Sequence, residues 1–199
     1  MVREGRTHGR PRRCRCVSAL PSSCYPFRMA RLHLWHWLRD FAISLALAFI
    51  CVLFLYQPVR VEGFSMLPEL TNNERIFINR VVYRVESIRR GDVVVFWFPL
   101  DPTKSFIKRV IGIPGDRVKI VNGTVYVNGE ELDEPYVRPS YRDDVSYLET
   151  VVAPQHYFVL GDHRNSSSDS RMWGCVDGRA IYGKAVFAYW PMQRVGLVR

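Results

Sequence analysis

The sequence predicts a mainly β fold, in which an antiparallel, barrel-like β domain follows one N-terminal transmembrane helix. Short segments rich in Val, Ile, Phe and Tyr succeed one another from about residue 58 and are separated by Gly, Pro, Asn and Asp. The dipeptides Asn122-Gly123 and Asn128-Gly129 favour the tight, positive-φ turns of β-hairpins. Only one segment, 41–56, favours a helix.

The predicted strands share runs or alternations of β-branched and aromatic side chains. They lie within 75–85, 91–99, 106–113, 117–132, 156–162 and 181–191. A chain of 199 residues is long enough for about one domain and an appendage. We therefore expect one β domain over 58–192, without internal repeats, followed by a short tail at 193–199.

The helical segment predicts a membrane anchor. Residues 41–56 carry no charge, and with the apolar residues ahead of them the span 35–57 reaches the ~20 residues that cross a bilayer core. Trp35, Trp37 and Tyr56 lie at its two ends, where aromatic rings prefer the membrane interface.

Two other interpretations of this segment fit less well. A buried core helix would carry a polar stripe, whereas Ser44 is the only polar residue within 41–56. A cleaved signal peptide would end in small residues, and the residues that follow, 56–60, offer no such site. The segment therefore indicates an uncleaved anchor.

The charge of the chain is concentrated at its start. The net charge is +9, but residues 1–40 hold nine Arg against Glu4 and Asp40, and residues 41–199 hold 19 basic against 17 acidic residues. A nearly neutral body weakens a nucleic-acid function. Because positive residues stay on the cytosolic side, we expect a disordered cytosolic leader over 1–34 and the β domain outside. An Arg-rich leader is also typical of a transit peptide, so a plastid membrane remains an alternative.

The cysteines point to neither a disulfide nor a metal site in the β domain. Cys175 is the only cysteine within 58–192, and the Cys14-x-Cys16 pair has no second Cys or His pair at finger spacing. We expect no metal and no cofactor.

Ser65 lies in the stretch VEGFSMLPEL, a few residues after the apolar segment. A serine hydroxyl is a weak nucleophile unless a base takes its proton. His156 begins an apolar strand and His163 lies in a polar loop, and both positions are typical of ordinary structural histidines.

A neutral lysine is the other base that can serve a serine, provided that burial lowers its pKa. The chain has four lysines, at positions 104, 108, 119 and 184. Lys108 differs from the others because strand alternation puts it on one face with Phe106 and Val110. Taken alone, this pattern favours a lysine that extends its amine to water over one that is desolvated for catalysis.

Four motifs taken together resemble bacterial-type signal peptidase I, a membrane-anchored serine protease with a Ser–Lys dyad. They are GFSMLPEL, GDVVVF, KRVIGIPGD and GDHRNSSSDSR, in this order and behind an apolar segment. The resemblance covers about 38–191. It implies Ser65 as the nucleophile, Lys108 as the general base and Ser167 as the residue that hydrogen-bonds and orients the lysine.

The resemblance also implies roles around the dyad. Gly161 and Asp162 begin a loop that Asp169 and Arg171 brace. The implied substrate pocket consists of Val59, Val61, Gly63, Met66, Phe106 and Ile107. Some members of the family have a serine at the position of Gly63 that donates to the oxyanion, which leaves the backbone N–H of Ser65 as the donor here. Glu69 and His163 also depart from the family's pattern.

The function that the resemblance implies is removal of N-terminal signal peptides from exported preproteins after small-x-small sites. Its partners would be preproteins and the lipid bilayer, without nucleic acid, and the protein would be a monomeric single-pass protein of the cell membrane. One alternative is an anchored β module that binds without catalysis, and another is a conjugation-type maturation peptidase of the same class. A penicillin-binding acyl transferase does not fit, because Ser65 has no lysine three residues on.

Overall fold

A computed structural model describes the backbone of residues 27–199. Most of the predicted leader, residues 1–26, lies outside these residues. The chain divides into two compact units, one ending at Leu47 and the other comprising Ala48–Arg199.

The first helix, α1, is Phe27–Leu55. The large apolar side chains that the structure describes between Trp35 and Leu55 are exposed, with Trp37 at 77% and Phe41 at 68%. Within residues 27–199, no helix combines the length and the hydropathy needed to cross a bilayer. The anchor predicted over 35–57 stays a prediction.

Two short α-helices and twelve strands follow α1 in the described residues, together with four 3₁₀-helices of three residues each. The α-helices are α2 (Val82–Val85) and α3 (Ser170–Trp173). The strands are β1 (Tyr56–Arg60), β2 (Arg75–Asn79), β3 (Val93–Phe98), β4 (Asp101–Gly112), β5 (Arg117–Val121), β6 (Thr124–Val127), β7 (Glu130–Glu131), β8 (Tyr147–Val151), β9 (His156–Leu160), β10 (Val176–Asp177), β11 (Ile181–Trp190) and β12 (Gly196–Leu197).

The strands form two antiparallel sheets. The larger has the order β1-β2-β11-β3-β4-β9-β10, with β12 also on β11, and the smaller has the order β7-β6-β5-β8. The prediction of a mainly antiparallel β domain is confirmed, although neither sheet closes on itself among residues 27–199. Both predicted hairpin turns are present, with φ of 47° at Asn122 and 55° at Asn128.

Three details differ from the predictions. The segment 75–85 is a strand only as far as Asn79, and α2 follows, because the chain turns where Asn79 Oδ1 accepts the N–H groups of Val81 and Val82. Within the predicted tail 193–199, Gly196 and Leu197 form β12, which pairs with β11. Four short strands that lack a clear alternating pattern were not predicted, namely β1, β8, β10 and β12.

The core beneath the large sheet positions the site. Met66 and Leu70 are fully buried against the β2 residues Ile76 and Ile78. Burial of such side chains contributes about 1.5–3 kcal/mol each. The loop that follows β1 is therefore fixed to the sheet by its apolar residues.

Candidate active site

Ser65 lies in a tight turn that its neighbours hold in place. Gly63 has φ of +98°, a conformation that residues with a Cβ rarely adopt, and its N–H donates to Asn72 Oδ1 at 3.0 Å. The N–H of Leu67 donates to the Phe64 carbonyl at 3.2 Å. Met66 is buried beneath the turn, whereas the Ser65 side chain is half-buried.

Lys108 lies in the middle of β4 and reaches the serine. Its Nζ is 2.6 Å from Ser65 Oγ, although the two residues are 43 positions apart in the chain. The lysine is only 4% exposed, and its Nζ lies 5.5 Å from the centroid of the Phe106 ring. The amine is thus directed at the serine hydroxyl instead of extending to water.

The surroundings of Lys108 favour its neutral form. Burial lowers the pKa of the Lys108 amine from 10.5 to about 8, and the negative charges of Asp169 and Asp162 partly oppose this shift. A lysine with this pKa is partly deprotonated near neutral pH, so it can accept a proton from a hydroxyl that touches it.

The other three lysines are in different environments. Lys104 is 66% exposed and pairs with Asp101, while Lys119 lies on the exposed face of β5. Lys184 pairs with Asp92 at 2.6 Å. Lys108 is therefore the only buried lysine, since all four lie in the described part of the chain.

Ser167 lies beside the dyad, but its predicted hydrogen bond is absent. A Cβ on Gly161 would come within 2.2 Å of Ser167 Oγ and 2.5 Å of the Ser65 carbonyl oxygen, which places both serines against Gly161. Within residues 35–199, Ser167 Oγ is buried and has no hydrogen-bond partner. The hydroxyl does not reach Lys108, and its orienting role stays a prediction.

Two buried ion pairs hold the elements that carry the dyad. Arg109, the residue after Lys108, makes two hydrogen bonds with Asp162, at 2.8 and 2.6 Å. Arg171 makes two with Asp169, at 2.8 and 2.9 Å, and Asp169 also accepts the N–H of Gly161 at 3.2 Å. The first pair connects the loop that begins at Gly161 to β4, and the second pair stabilises this loop internally.

A third ion pair was not predicted. Arg164 makes two hydrogen bonds to Glu134, and both side chains are buried. Arg164 Nε also donates to the Gly161 carbonyl at 3.0 Å. No local pattern connects two residues that lie 30 positions apart in an otherwise polar stretch, so reasoning from one sequence could not have paired them.

The dyad opens into a groove of about 700 Å³. Its lining includes five of the six predicted pocket residues, namely Val59, Val61, Gly63, Phe106 and Ile107. Met66 is the exception, because it is 1% exposed and packs into the core under the turn. Its lining also includes residues that were not predicted, among them the apolar Ile76 of β2 and Val95 of β3 and the charged Arg60, Glu62 and Lys104.

Neither histidine of the β domain occupies the position of a base for Ser65. His163 Nδ1 lies 3.0 Å from the Phe64 carbonyl oxygen, and its backbone N–H donates to the Ser65 carbonyl at 3.1 Å. His156 Nδ1 lies 2.9 Å from the Pro154 carbonyl oxygen. Both rings are engaged with backbone carbonyls.

Comparison with known proteins adds independent information. The family described as "Signal peptidase, peptidase S26" matches residues 34–190. A signal peptidase IB of Staphylococcus aureus is 34% identical over 176 residues, which cover 80% of this chain and 91% of that protein. A probable signal peptidase I-2 of Synechocystis is 42% identical over 146 residues, covering 69% of this chain and 65% of that protein, so the chain spans less than two thirds of its length.

The chain is also similar to solved structures. A crystal structure of a signal peptidase I from Enterococcus faecalis V583 is 31% identical and superposes with a TM-score of 0.44, covering 50% of this chain and 97% of the other. The family match extends over most of the chain, and the Staphylococcus aureus relative is matched over nearly all of its own length. The chain belongs to the signal peptidase family, peptidase S26.

Proposed function

We propose that this chain is a serine endopeptidase that removes N-terminal signal peptides from exported preproteins, with Ser65 as nucleophile and Lys108 as general base. The observation that carries the proposal is the 2.6 Å contact between Ser65 Oγ and the Nζ of a buried lysine. Membership of the signal peptidase family supports the reaction class, and the contact supports the assignment of the residues.

The reaction has two stages, acylation of Ser65 and deacylation, and Lys108 transfers protons in both. Neutral Lys108 takes the proton from Ser65 Oγ while this oxygen attacks the scissile carbonyl of the preprotein. The protonated lysine then gives that proton to the leaving amine as the peptide bond breaks. In deacylation, Lys108 takes a proton from a water molecule as this water attacks the acyl-enzyme carbonyl, and it returns the proton to Ser65 Oγ as the ester bond breaks.

The developing oxyanion needs a fixed hydrogen-bond donor, and the main-chain N–H of Ser65 supplies it. This group is on the same residue as the nucleophile and has no acceptor of its own among residues 35–199. A preorganised donor of this kind is typically worth about 10²–10³ in kcat.

Ser167 is proposed to orient Lys108, and Ser167→Ala tests that role by its effect on kcat.

The groove suits an extended peptide with apolar side chains. Its floor is apolar, formed by Val59, Val61, Ile76, Val95 and Ile107, and β1 is an edge strand of the larger sheet. An extended peptide can add to such an edge through main-chain hydrogen bonds, while the apolar floor accepts alternate side chains. This arrangement supports binding of an extended peptide, and cleavage after small-x-small sequences is the part of the proposal that rests on the family resemblance.

The proposed location is a cell membrane, with the β domain on the outer side. The uncharged run within 35–57 and the arginines that precede it support this orientation, as the positive-inside rule requires. The partners are then preproteins and the lipid bilayer, and the protein acts as a monomer. A plastid membrane would give the same topology relative to the arginines.

The test is cleavage of a purified preprotein that has an Ala-x-Ala site. Ser65→Ala should abolish cleavage, whereas Ser87→Ala, which changes an exposed serine of the same domain, should cleave at the wild-type rate. An acylating inhibitor should label the wild type at Ser65. A wild-type protein that neither cleaves the preprotein nor reacts with the inhibitor would favour an anchored binding module.

A further inference from the structure

The main-chain N–H of Ser65 can stabilise an oxyanion only if the peptide group that carries it is held in one orientation. That peptide joins the Phe64 carbonyl to the Ser65 N–H. It is trans, since the cis bonds of the described chain are at Leu67-Pro68 and Trp190-Pro191. In a planar trans peptide the C=O and N–H bonds point in opposite directions, so fixing one fixes the other.

His163 holds the carbonyl end of this peptide. Its ring Nδ1 lies 3.0 Å from the Phe64 oxygen. A carbonyl oxygen only accepts, so Nδ1 carries the proton and donates it. The backbone N–H of the same histidine donates to the Ser65 carbonyl at 3.1 Å. One residue therefore hydrogen-bonds both carbonyls that flank the Ser65 N–H and Cα, those of Phe64 and Ser65.

The histidine is itself firmly placed. Its ring packs against the Tyr141 ring, with centroids 4.2 Å apart. The next residue, Arg164, is buried and bound both to Glu134 and to the Gly161 carbonyl. A side chain that is held on both sides can transmit this placement to the peptide that it contacts.

We propose that His163 is a positioning residue for the reaction, which acts by orienting the Phe64–Ser65 peptide so that the Ser65 N–H is directed at the oxyanion. This inference rests on the proposed function of Ser65. It assigns the imidazole a role as a hydrogen-bond donor to the backbone and gives it no part in proton transfer with the substrate.

Isosteric substitutions test the role. His163→Asn places its amide nitrogen where Nδ1 was and keeps the donor, whereas His163→Leu keeps a branched side chain without a donor. We expect kcat of His163→Leu to fall by about tenfold to hundredfold, less than the loss of a whole oxyanion donor, with KM within about twofold. His163→Asn should stay within about threefold of the wild type.

A matched control is available at another histidine. His156→Leu removes a similar Nδ1–carbonyl contact, to Pro154, at the start of β9. It should leave kcat and KM unchanged. The melting temperature of each variant is measured alongside, and His163→Gln, which is polar but places its amide one bond too far, serves as a second loss variant if His163→Leu does not fold.

Binding of a peptide aldehyde separates the proposed role from general damage to the loop. The aldehyde forms a tetrahedral adduct with Ser65 Oγ, and the former aldehyde oxygen of this adduct needs the Ser65 N–H as a hydrogen-bond donor. The corresponding peptide amide forms no adduct and does not need this donor. His163→Leu should weaken binding of the aldehyde and leave the affinity for the amide unchanged. Equal kcat values in His163→Leu and His163→Asn would overturn the inference, as would an equal loss of affinity for the aldehyde and the amide. An inactive wild type would instead reject the proposed function.

Discussion

Gly161 lies directly against Ser65. A Cβ at position 161 would sit 2.5 Å from the Ser65 carbonyl oxygen and 2.2 Å from Ser167 Oγ, both far inside ordinary van der Waals contact. The carbonyl cannot move away without moving the nucleophile, because it is main chain. Glycine at 161 is therefore a condition for the position of Ser65.

This contact predicts a large effect from one methyl group. Gly161→Ala should displace the Ser65 main chain and lower kcat by about tenfold to hundredfold, because small errors in position are costly in catalysis. Overpacking should also cost about 1–3 kcal/mol of stability. Gly196→Ala is the control, since no heavy atom lies within 4 Å of a Cβ built there, and an equal loss in both variants would contradict the argument.

Removing the lysine amine should stop the reaction without unfolding the protein. Lys108→Ala should lower kcat by about 10²- to 10⁴-fold, the range for loss of a general base. Lys119→Ala, at an exposed position of β5, should cleave the preprotein normally. Near-native cleavage by Lys108→Ala would exclude the Ser–Lys mechanism.

The same lysine should weaken the fold that holds it. Burial lowers the pKa of Lys108 from its ordinary value of 10.5 to about 8. This difference corresponds to a free-energy cost of about 3 kcal/mol for burying the charged form. Lys108→Met keeps the side-chain length and removes the charge. It should raise the free energy of unfolding near neutral pH by about 1–3 kcal/mol, less than the full cost because the Ser65 hydrogen bond is lost.

The advantage of Lys108→Met should depend on pH. Between the two pKa values the unfolded chain binds the lysine proton more tightly than the folded domain, so the stability of the wild type rises with pH across this range. The difference in melting temperature between the variant and the wild type should therefore be greatest below about pH 8 and shrink toward about pH 10. A difference that does not change with pH would show that the amine is not desolvated.

The ion pair between Arg109 and Asp162 should be costly to break on one side only. Both side chains are almost completely buried, so Asp162→Asn leaves the Arg109 charge without its counter-ion. We expect a loss of about 3–5 kcal/mol, measured by thermal or urea unfolding. Asp177→Asn breaks the pair with the exposed Arg179 and should leave the melting temperature nearly unchanged, and equal losses in the two variants would count against this account.

The sequence was informative where local patterns decide the structure. Alternating apolar residues and the turns at Asn122 and Asn128 predicted most of the strands, because hairpins depend on neighbours in the chain. Short edge strands such as β1 and β12 carry no such alternation. They form because β2 offers a free edge to β1, and because β11 extends beyond its pairing with β3 and leaves that side open to β12, which is a tertiary effect.

The site was predictable only in part for the same reason. Lys108 was distinctive because the chain has only four lysines and this one lies among apolar residues, although its pattern alone favoured an amine in water. The motifs of the family reversed that preference. Met66 was assigned to the pocket from those motifs, whereas the turn at Gly63 directs it into the core.

Contacts between distant segments were beyond a single sequence. His163 was considered as a base because histidines often are, but its function depends on Phe64, 99 positions earlier. The pair of Arg164 and Glu134 likewise has no local signature. Such contacts follow from how β4, β9 and the turn at Ser65 pack together, and only the folded arrangement reveals them.

The most direct test of the central claim is kcat/KM for preprotein cleavage, measured from about pH 6 to about pH 10, because this ratio reports the ionisation of the free enzyme. If neutral Lys108 is the base, kcat/KM should rise about tenfold per pH unit below about pH 8 and level off above it. A ratio that is flat through about pH 8, or one that keeps rising to about pH 10, would contradict a desolvated lysine at the serine.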